Sequence, residues 1–579
     1  MRPRLATACI LTLMSSLATA AVGIPVERGE AQRQHMQSKR HAAQASISAA
    51  ATPAQLRAAA SRFEGLIAEL DQPAMRDLAN GNTFLRAERL NNLIPLAEVY
   101  LRLGDKEHAL STLEQSQQTH WLPTGFEQNP AFAALASEPQ FMAINAKARL
   151  ARQLFDVPAL ATNYREALSV EERIAGLSLF WHEARQSFAH FDHVPALDWD
   201  KVYLEYIGKV MAANTTREYY DVMMQLAPLL QDGHTNIYPP DELIGKFYAR
   251  PPIQTMLVED KVIVTEVGSP SLDALLKVGD EILSIDGIAV NTYAQQRVAP
   301  YASSSTAQDK LVRVYNYQLL AGDEAVPVQL SVAGADGKVR SVTLARSGYT
   351  DRRHPPAFEF KMLPGGVAYI ALDHFESDAG PKAFKQALPQ IMQAKALIID
   401  VRKNGGGSTE YGTAIIRHLS NQPINGATSY ARIYNPVQRA HHGNVVEWQR
   451  LDSADDQPAR HEKIFSGPVV VLAGPQSFSA AEDFLVEFAQ LKRGPIIGEA
   501  SAGSTGQPLH FALPGGGAAR ICVKRDTFRD GRLFVGLGVQ PTIEVRPTLQ
   551  SVRSGQDPVL QEALRVLKEP SGTRAAHTR

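Results

Sequence analysis

The chain has 579 residues, 44% hydrophobic and 21% charged, with 59 Lys and Arg against 60 Asp and Glu and a formal net charge of −1. Such a length supports several packed cores and, at about 100–200 residues per unit, three to five domains. The even charge balance excludes the basic surplus of a nucleic-acid or anionic-membrane binder. Two cysteines, Cys9 and Cys522, exclude a disulfide framework and a multi-cysteine zinc cluster.

The chain opens with Arg2 and Arg4, an apolar stretch from Leu5 to Leu17 and Ala18-Thr19-Ala20. A charged start, an apolar run and a small-residue cleavage site predict a secretory signal peptide over 1–20. The competing reading is an uncleaved anchor, but the run is short for the ~20 residues that span a bilayer. No other run is long enough to span. Export is therefore expected, to a periplasm or the medium of a bacterium. Cys9 would leave with the signal, and Cys522 would stand alone.

Residues 21–50 are rich in Ala, Gln, Ser and Arg without a clear period and predict a flexible segment. Over 51–164 the pattern turns helical. "LAEVYLRLGDKEHALSTLEQ" (Leu96–Gln115) carries apolar residues at helical spacing on both sides of Gly104-Asp105, a helical hairpin that looks like one tetratricopeptide-type unit. It offers either a surface for a protein partner or a brace for the fold. Residues 165–248 predict a helical subdomain. Ser169 and Glu172 form a capping box, and the helices end in "QDGHTNIYPP" (Gln231–Pro240).

From 249 to 347 the period changes to strands, with turns at Asp286-Gly287 and Asp336-Gly337. "LLKVGDEILSIDGIAV" (Leu275–Val290) resembles a PDZ domain, a module that binds an extended peptide by strand addition. Across 355–548 buried Val/Ile runs such as "ALIIDV" and "PVVVLAG" alternate with helical stretches, which predicts an α/β layer with parallel strands. Residues 506–545 look like a β run, and 549–579 like one more helix and a polar tail. The expected fold class is thus multidomain α/β + α + β.

Three short motifs carry chemistry. "DVRKNGGGS" (Asp400–Ser408) puts three glycines after a buried strand. Exposed backbone N–H groups there can cradle an oxyanion, or the run is a plain strand-to-helix turn; it is not a phosphate-binding Walker loop. "SFSAAEDF" sets Ser479 three residues before Glu482 at a predicted strand-to-helix turn. The spacing fits a capping box and equally a presented nucleophile. "DGHT" (Asp232–Thr235) holds a histidine in a tight turn, either solvated or a general base.

These motifs occur together with "VGDEILSIDG", "PIIGEASAGSTG" and "RDGRLFVGLGVQPTIEV". In that order they resemble the C-terminal-processing (tail-specific) serine peptidase family, and within it the tricorn-core and retinoid-binding-protein-like branch. The resemblance covers about two-thirds of the chain, from about Ser169 to Val545 with "GQDPVLQEAL" (Gly555–Leu564). It implies a crotonase-like ββα peptidase core and Ser479 as nucleophile. It further implies an oxyanion hole from Ala480 with Gly406 or Gly407. The lysine that serves as base in one branch would fall 25 residues after Ser479, where Ser504 stands. The other branch uses a histidine, which His234 matches. That branch has a serine before the histidine, where this chain has Gly233, and a glutamate before "G-V-x-P", where "RLFVGLGVQP" has no acid. The third group is left among Asp232, Glu482 and Glu499, with Glu499 preferred because it follows a strand bordering the site.

The expected function is serine endopeptidase action on polypeptides, held by their C-terminus at the PDZ-like domain, with no metal or cofactor. The alternative is a weak or inactive peptide- or ligand-binding protein on the same scaffold.

Overall fold

The computed structural model describes residues 29–568 except 49, 51, 81, 119–124, 354–355, 357 and 452–462. The predicted signal peptide lies outside the described residues. No helix among the described residues is long and apolar enough to cross a membrane.

Glu30–Ser48, expected to be flexible, is a helix. Its sequence lacks a strong apolar stripe, so tertiary contacts hold it. Met36 and Ala43 are buried in the core that contains Phe63 and Leu93, and Arg40 binds Glu88 at 2.8 Å. The helical region continues through Pro53–Leu70, Thr83–Arg102, Lys106–Gln117 and Pro139–Phe155. The hairpin turns at Gly104, whose φ of +81° suits glycine.

Val170–Ser187, Trp199–Ala212 and Thr216–Met224 follow. Ser169 caps the first with its hydroxyl on the Glu172 N–H, and Glu172 returns a bond to the Ser169 N–H. The chain then enters a short strand, Asn236–Tyr238, which pairs antiparallel with Ala518–Cys522. That pairing ties the turn carrying His234 to the C-terminal core across the sequence.

The next unit is an antiparallel sheet in the order Ile253–Val258, Lys261–Val267, Glu281–Ile285, Val328–Ala333, Val339–Leu344. Its last two strands pair from Val328↔Leu344 to Ala333↔Val339, and Gly337 turns between them at φ +79°. A helical arm around Ala307–Leu311 leaves this unit and reaches the site described below.

The C-terminal core holds a six-stranded sheet in the order Ile543–Glu544, Ile496–Gly498, Val469–Ala473, Ala396–Asp400, Val367–Leu372, Phe358–Leu363. Its first four pairings are parallel and the last is antiparallel. Every residue of Ala396–Asp400 and of Val469–Ala473 is buried, as unbroken apolar runs covered on both faces require. Ala379–Ile391 and Ala480–Leu491 contribute to one covering layer, where Phe384, Phe484 and Phe488 are fully enclosed. Pro558–Lys568 covers the other face with Val559, Ala563 and Val566. Residues 506–545, expected as one β run, divide into the hairpin Pro508–Ala512/Ala518–Cys522, the strand Lys524–Thr527 and the short Ile543–Glu544. Between the last two, a single bridge joins Leu533 to Thr527, and Gly536 and Gly538 then adopt positive φ as the chain turns.

Candidate active site

The strand Val469–Ala473 ends at the sheet's C-terminal edge, and six residues later Ser479 starts the helix Ala480–Leu491. Ser479 has φ +58° and ψ −122°. A non-glycine residue held there is strained by roughly 1–3 kcal/mol, and such strain collects at functional turns. Its Oγ lies 3.1 Å from His234 Nε2, although the two residues stand 245 apart in sequence.

His234 is buried. Its ring stacks on Phe478 at 4.5 Å with 14° between planes, and the Arg313 guanidinium lies 5.1 Å from the centre of Phe478. Burial, and then the positive charges of Arg520, Arg313 and Lys524, hold the imidazole well below its usual 6.5. It is therefore neutral at neutral pH, the form that can accept a proton. Its other nitrogen, Nδ1, lies 2.9 Å from Ser504 Oγ.

Asp232 does not bind this ring. Its Oδ1 accepts the backbone N–H of His234 at 2.9 Å and the Thr235 hydroxyl at 2.9 Å. The carboxylate folds back on its own turn, as Asp does where it can satisfy the N–H two residues on. Burial pushes its carboxyl up to about 6.

Glu499 does not reach the pair either. Its carboxylate lies 3.8 Å from Arg546, and no hydrogen bond joins it to His234 among the described residues. Gly498, with φ +129°, turns the chain just before it, so following a bordering strand does not carry its side chain to the ring.

Glu482 is fully buried and gathers four donors. Oε1 accepts the Ser501 hydroxyl at 2.5 Å and the Gly503 N–H at 2.7 Å. Oε2 accepts the N–H groups of Ser504 at 2.8 Å and of Ser479 at 3.2 Å. Burial outweighs these donors and pushes its carboxyl up to about 7. One side chain thus ties the start of the helix Ala480–Leu491 to the 501–504 loop.

The glycines of "NGGG" pass directly beside Ser479. A Cβ on Gly406 would stand 2.7 Å from both Ser479 Cβ and the Phe478 carbonyl, and 3.1 Å from the Ala480 nitrogen. The Gly406 N–H donates to Asn404 Oδ1 at 2.9 Å, while Asn404 Nδ2 donates to the Leu372 carbonyl. Asn404 therefore sets the shape of the loop, a role the sequence alone did not assign. The N–H groups of Ala480 and Gly407 have no acceptor among the described residues, which leaves them able to receive a developing oxyanion.

The arm from the β unit closes the back of the site. Ser305 Oγ accepts the Gly233 N–H at 3.0 Å. Thr306 Oγ1 donates to the Ala502 carbonyl, and Gln308 Nε2 to those of Ser501 and Leu537. His190, Asp232 and Cys522 also bring ligand-type atoms within 4.8 Å of one another in the interior. Asp232 is already committed to His234 and Thr235, and burial drives the Cys522 thiol well above its usual range, so both are poor metal donors as they stand.

Residues 366–545 match the model of peptidase family S41. The chain is 25% identical over 307 residues to a chloroplastic C-terminal processing peptidase of Tetradesmus obliquus, covering 50% of this chain and 57% of that one. It is 25% identical over 323 residues to a carboxyl-terminal-processing protease of Synechocystis sp., covering 55% of this chain and 66% of that one. The chain thus spans about three-fifths of the length of these relatives. The structure of mature CPAF complexed with lactacystin superposes with a TM-score of 0.54 at 16% identity, over 69% of this chain and 98% of that one; it shares the fold. The C-terminal core thus matches the model of peptidase family S41, and about half of the chain is similar to C-terminal-processing peptidases.

Proposed function

We propose that this chain is an exported serine endopeptidase working through an acyl-enzyme on Ser479. The reading rests above all on Ser479 Oγ lying 3.1 Å from His234 Nε2 at a strained strand-to-helix turn. Nε2 removes the Oγ proton as Oγ attacks the peptide carbonyl. The carbonyl oxygen becomes an oxyanion beside the N–H groups of Ala480 and Gly407, each a contribution of about 3 kcal/mol in comparable sites. With Gly406's N–H committed to Asn404, Gly407 is the better placed of the two glycines. The C–N bond then breaks, and the departing amine takes the proton from Nε2. Water repeats the sequence in reverse roles and frees Ser479.

The substrate is a polypeptide, in keeping with the names of the processing relatives. The PDZ-like sheet ends in the edge strand Ile253–Val258, to which an extended C-terminal segment would add. The N-terminal helices would serve as a partner surface or brace.

The alternative, a weak or inactive binding protein, draws on the lack of a carboxylate at His234 Nδ1 among the described residues. A fluorophosphonate probe separates the two. We expect one adduct, mapped to Ser479, with labelling lost in His234→Ala and casein cleaved by the wild type. Folded protein that takes no label on Ser479 sinks the peptidase reading; labelling without turnover leaves the binding protein.

A further inference from the structure

We infer that Ser504 is the positioning residue that holds His234 in its working tautomer, taking the place of both an acidic partner and a side chain at position 233. The inference rests on His234 being the base proposed above. For Nε2 to accept the Ser479 proton, the ring's own proton must sit on Nδ1. The hydrogen-bond partner of Nδ1 is Ser504 Oγ, at 2.9 Å. With Nδ1–H donating to this oxygen, Nε2 is left bare and facing the nucleophile. Were Ser504 instead to donate, Nε2 would carry the proton and catalysis would stop at its first step.

Four further hydrogen bonds hold Ser504 and its loop where this role needs it. Its carbonyl accepts the N–H of Ser479 itself, at 3.2 Å. Its own N–H donates to Glu482 Oε2 at 2.8 Å. The loop before it hangs from Glu482 through Gly503 and Ser501. The group that orients the imidazole is thus fixed to the backbone that bears the nucleophile. Any movement of Ser479 carries Ser504 with it, and the Nε2 to Oγ geometry is kept.

Position 233 supplies an independent sign. A Cβ on Gly233 would stand 2.8 Å from Ser504 Oγ, and 2.9 Å from Arg313 and Phe478. Gly233 has an ordinary backbone angle, so glycine is required there by this crowding, not by a left-handed turn. The volume beside the ring that a residue before the histidine would occupy holds the Ser504 hydroxyl instead.

Two measurements test this. First, nitrogen NMR of histidine-labelled wild-type protein, with His234 identified by loss of its signals in His234→Gln, reads the tautomer directly. We expect the proton on Nδ1; a ring protonated mainly on Nε2 overturns the inference, and this result needs no variant of Ser504. Second, Ser504→Ala should lower kcat about 100-fold with KM changed by less than about twofold, because the lost interaction acts on the transition state, and the His234 signals should shift to a tautomer mixture. Unchanged kcat in folded Ser504→Ala overturns the inference while leaving Ser479 and His234 as nucleophile and base. Undiminished fluorophosphonate labelling in His234→Ala would instead remove the premise.

Discussion

Glu482 sets the stability and the activity of this protein against each other as pH changes. Burial raises its carboxyl from an ordinary 4.5 to about 7. The gap corresponds to about 3 kcal/mol at about 1.4 kcal/mol per pH unit. Between these values the folded protein keeps a proton that the unfolded chain has released. The contribution of Glu482 to stability is therefore complete below about pH 4.5 and falls by about 3 kcal/mol as pH rises through about 7. Activity runs the other way. The carboxylate accepts N–H groups of Ser479, Gly503 and Ser504 and the Ser501 hydroxyl, and protonation removes acceptor capacity from this clamp. Fluorophosphonate labelling of Ser479 should thus fall with a midpoint near pH 7 as the solution is acidified. His234 cannot supply that limb, because burial and the charges of Arg520, Arg313 and Lys524 keep it neutral well below 6.5. Labelling rates from about pH 5 to about pH 8.5, with urea unfolding in the same buffers, measure both trends. Glu482→Gln should give a slower rate that no longer changes near pH 7, and a flatter stability profile. An unmoved limb in Glu482→Gln, or wild-type stability that rises relative to Glu482→Gln between pH 5 and pH 7, refutes the reasoning.

Gly406→Ala should abolish labelling and cost about 2–3 kcal/mol in urea unfolding, since its φ of +95° and the 2.7 Å approach to Ser479 leave no room for a methyl. Arg402 clamps the buried Asp400 and, at 2.7 Å, Asp557 just before the helix Pro558–Lys568. Arg402→Ala should destabilise the core by about 3 kcal/mol, read by urea unfolding, because it strands a buried carboxylate. Cys522 is fully buried and its thiol is pushed well up by burial. It should ignore Ellman's reagent in the native protein and react completely once unfolded.

The parallel core was legible because strands buried on both faces leave unbroken Val/Ile runs, and that signal is local. The helix Glu30–Ser48 was not, since what orders it is Met36, Ala43 and the Arg40–Glu88 pair meeting partners far along the chain. The same division runs through the site. Ser479 and His234 could be named from motif order, and the structure places them in contact. The group behind the histidine could not, because the usual partner of a catalytic imidazole is an acid, and here it is not one. Asp232 is spent on its own turn, and Glu499 faces Arg546. The residue at Nδ1 is a neutral serine 270 positions away, already singled out in the sequence, but only as the place where a lysine is missing. Glu482 explains why that substitution can work. As a capping residue it binds the N–H of Ser479, and with its remaining lone pairs it fixes the loop bearing Ser504. A carboxylate buried among four donors thus acts on the imidazole at one remove. Its charge organises the loop, while the hydroxyl that meets the ring stays neutral. Such a site stabilises the imidazolium less than a direct carboxylate would, and the cations around His234 weaken its basicity further. The same geometry that supports a peptidase therefore points to a slow one, whose rate should depend as much on the 501–504 loop as on the residues that touch the substrate.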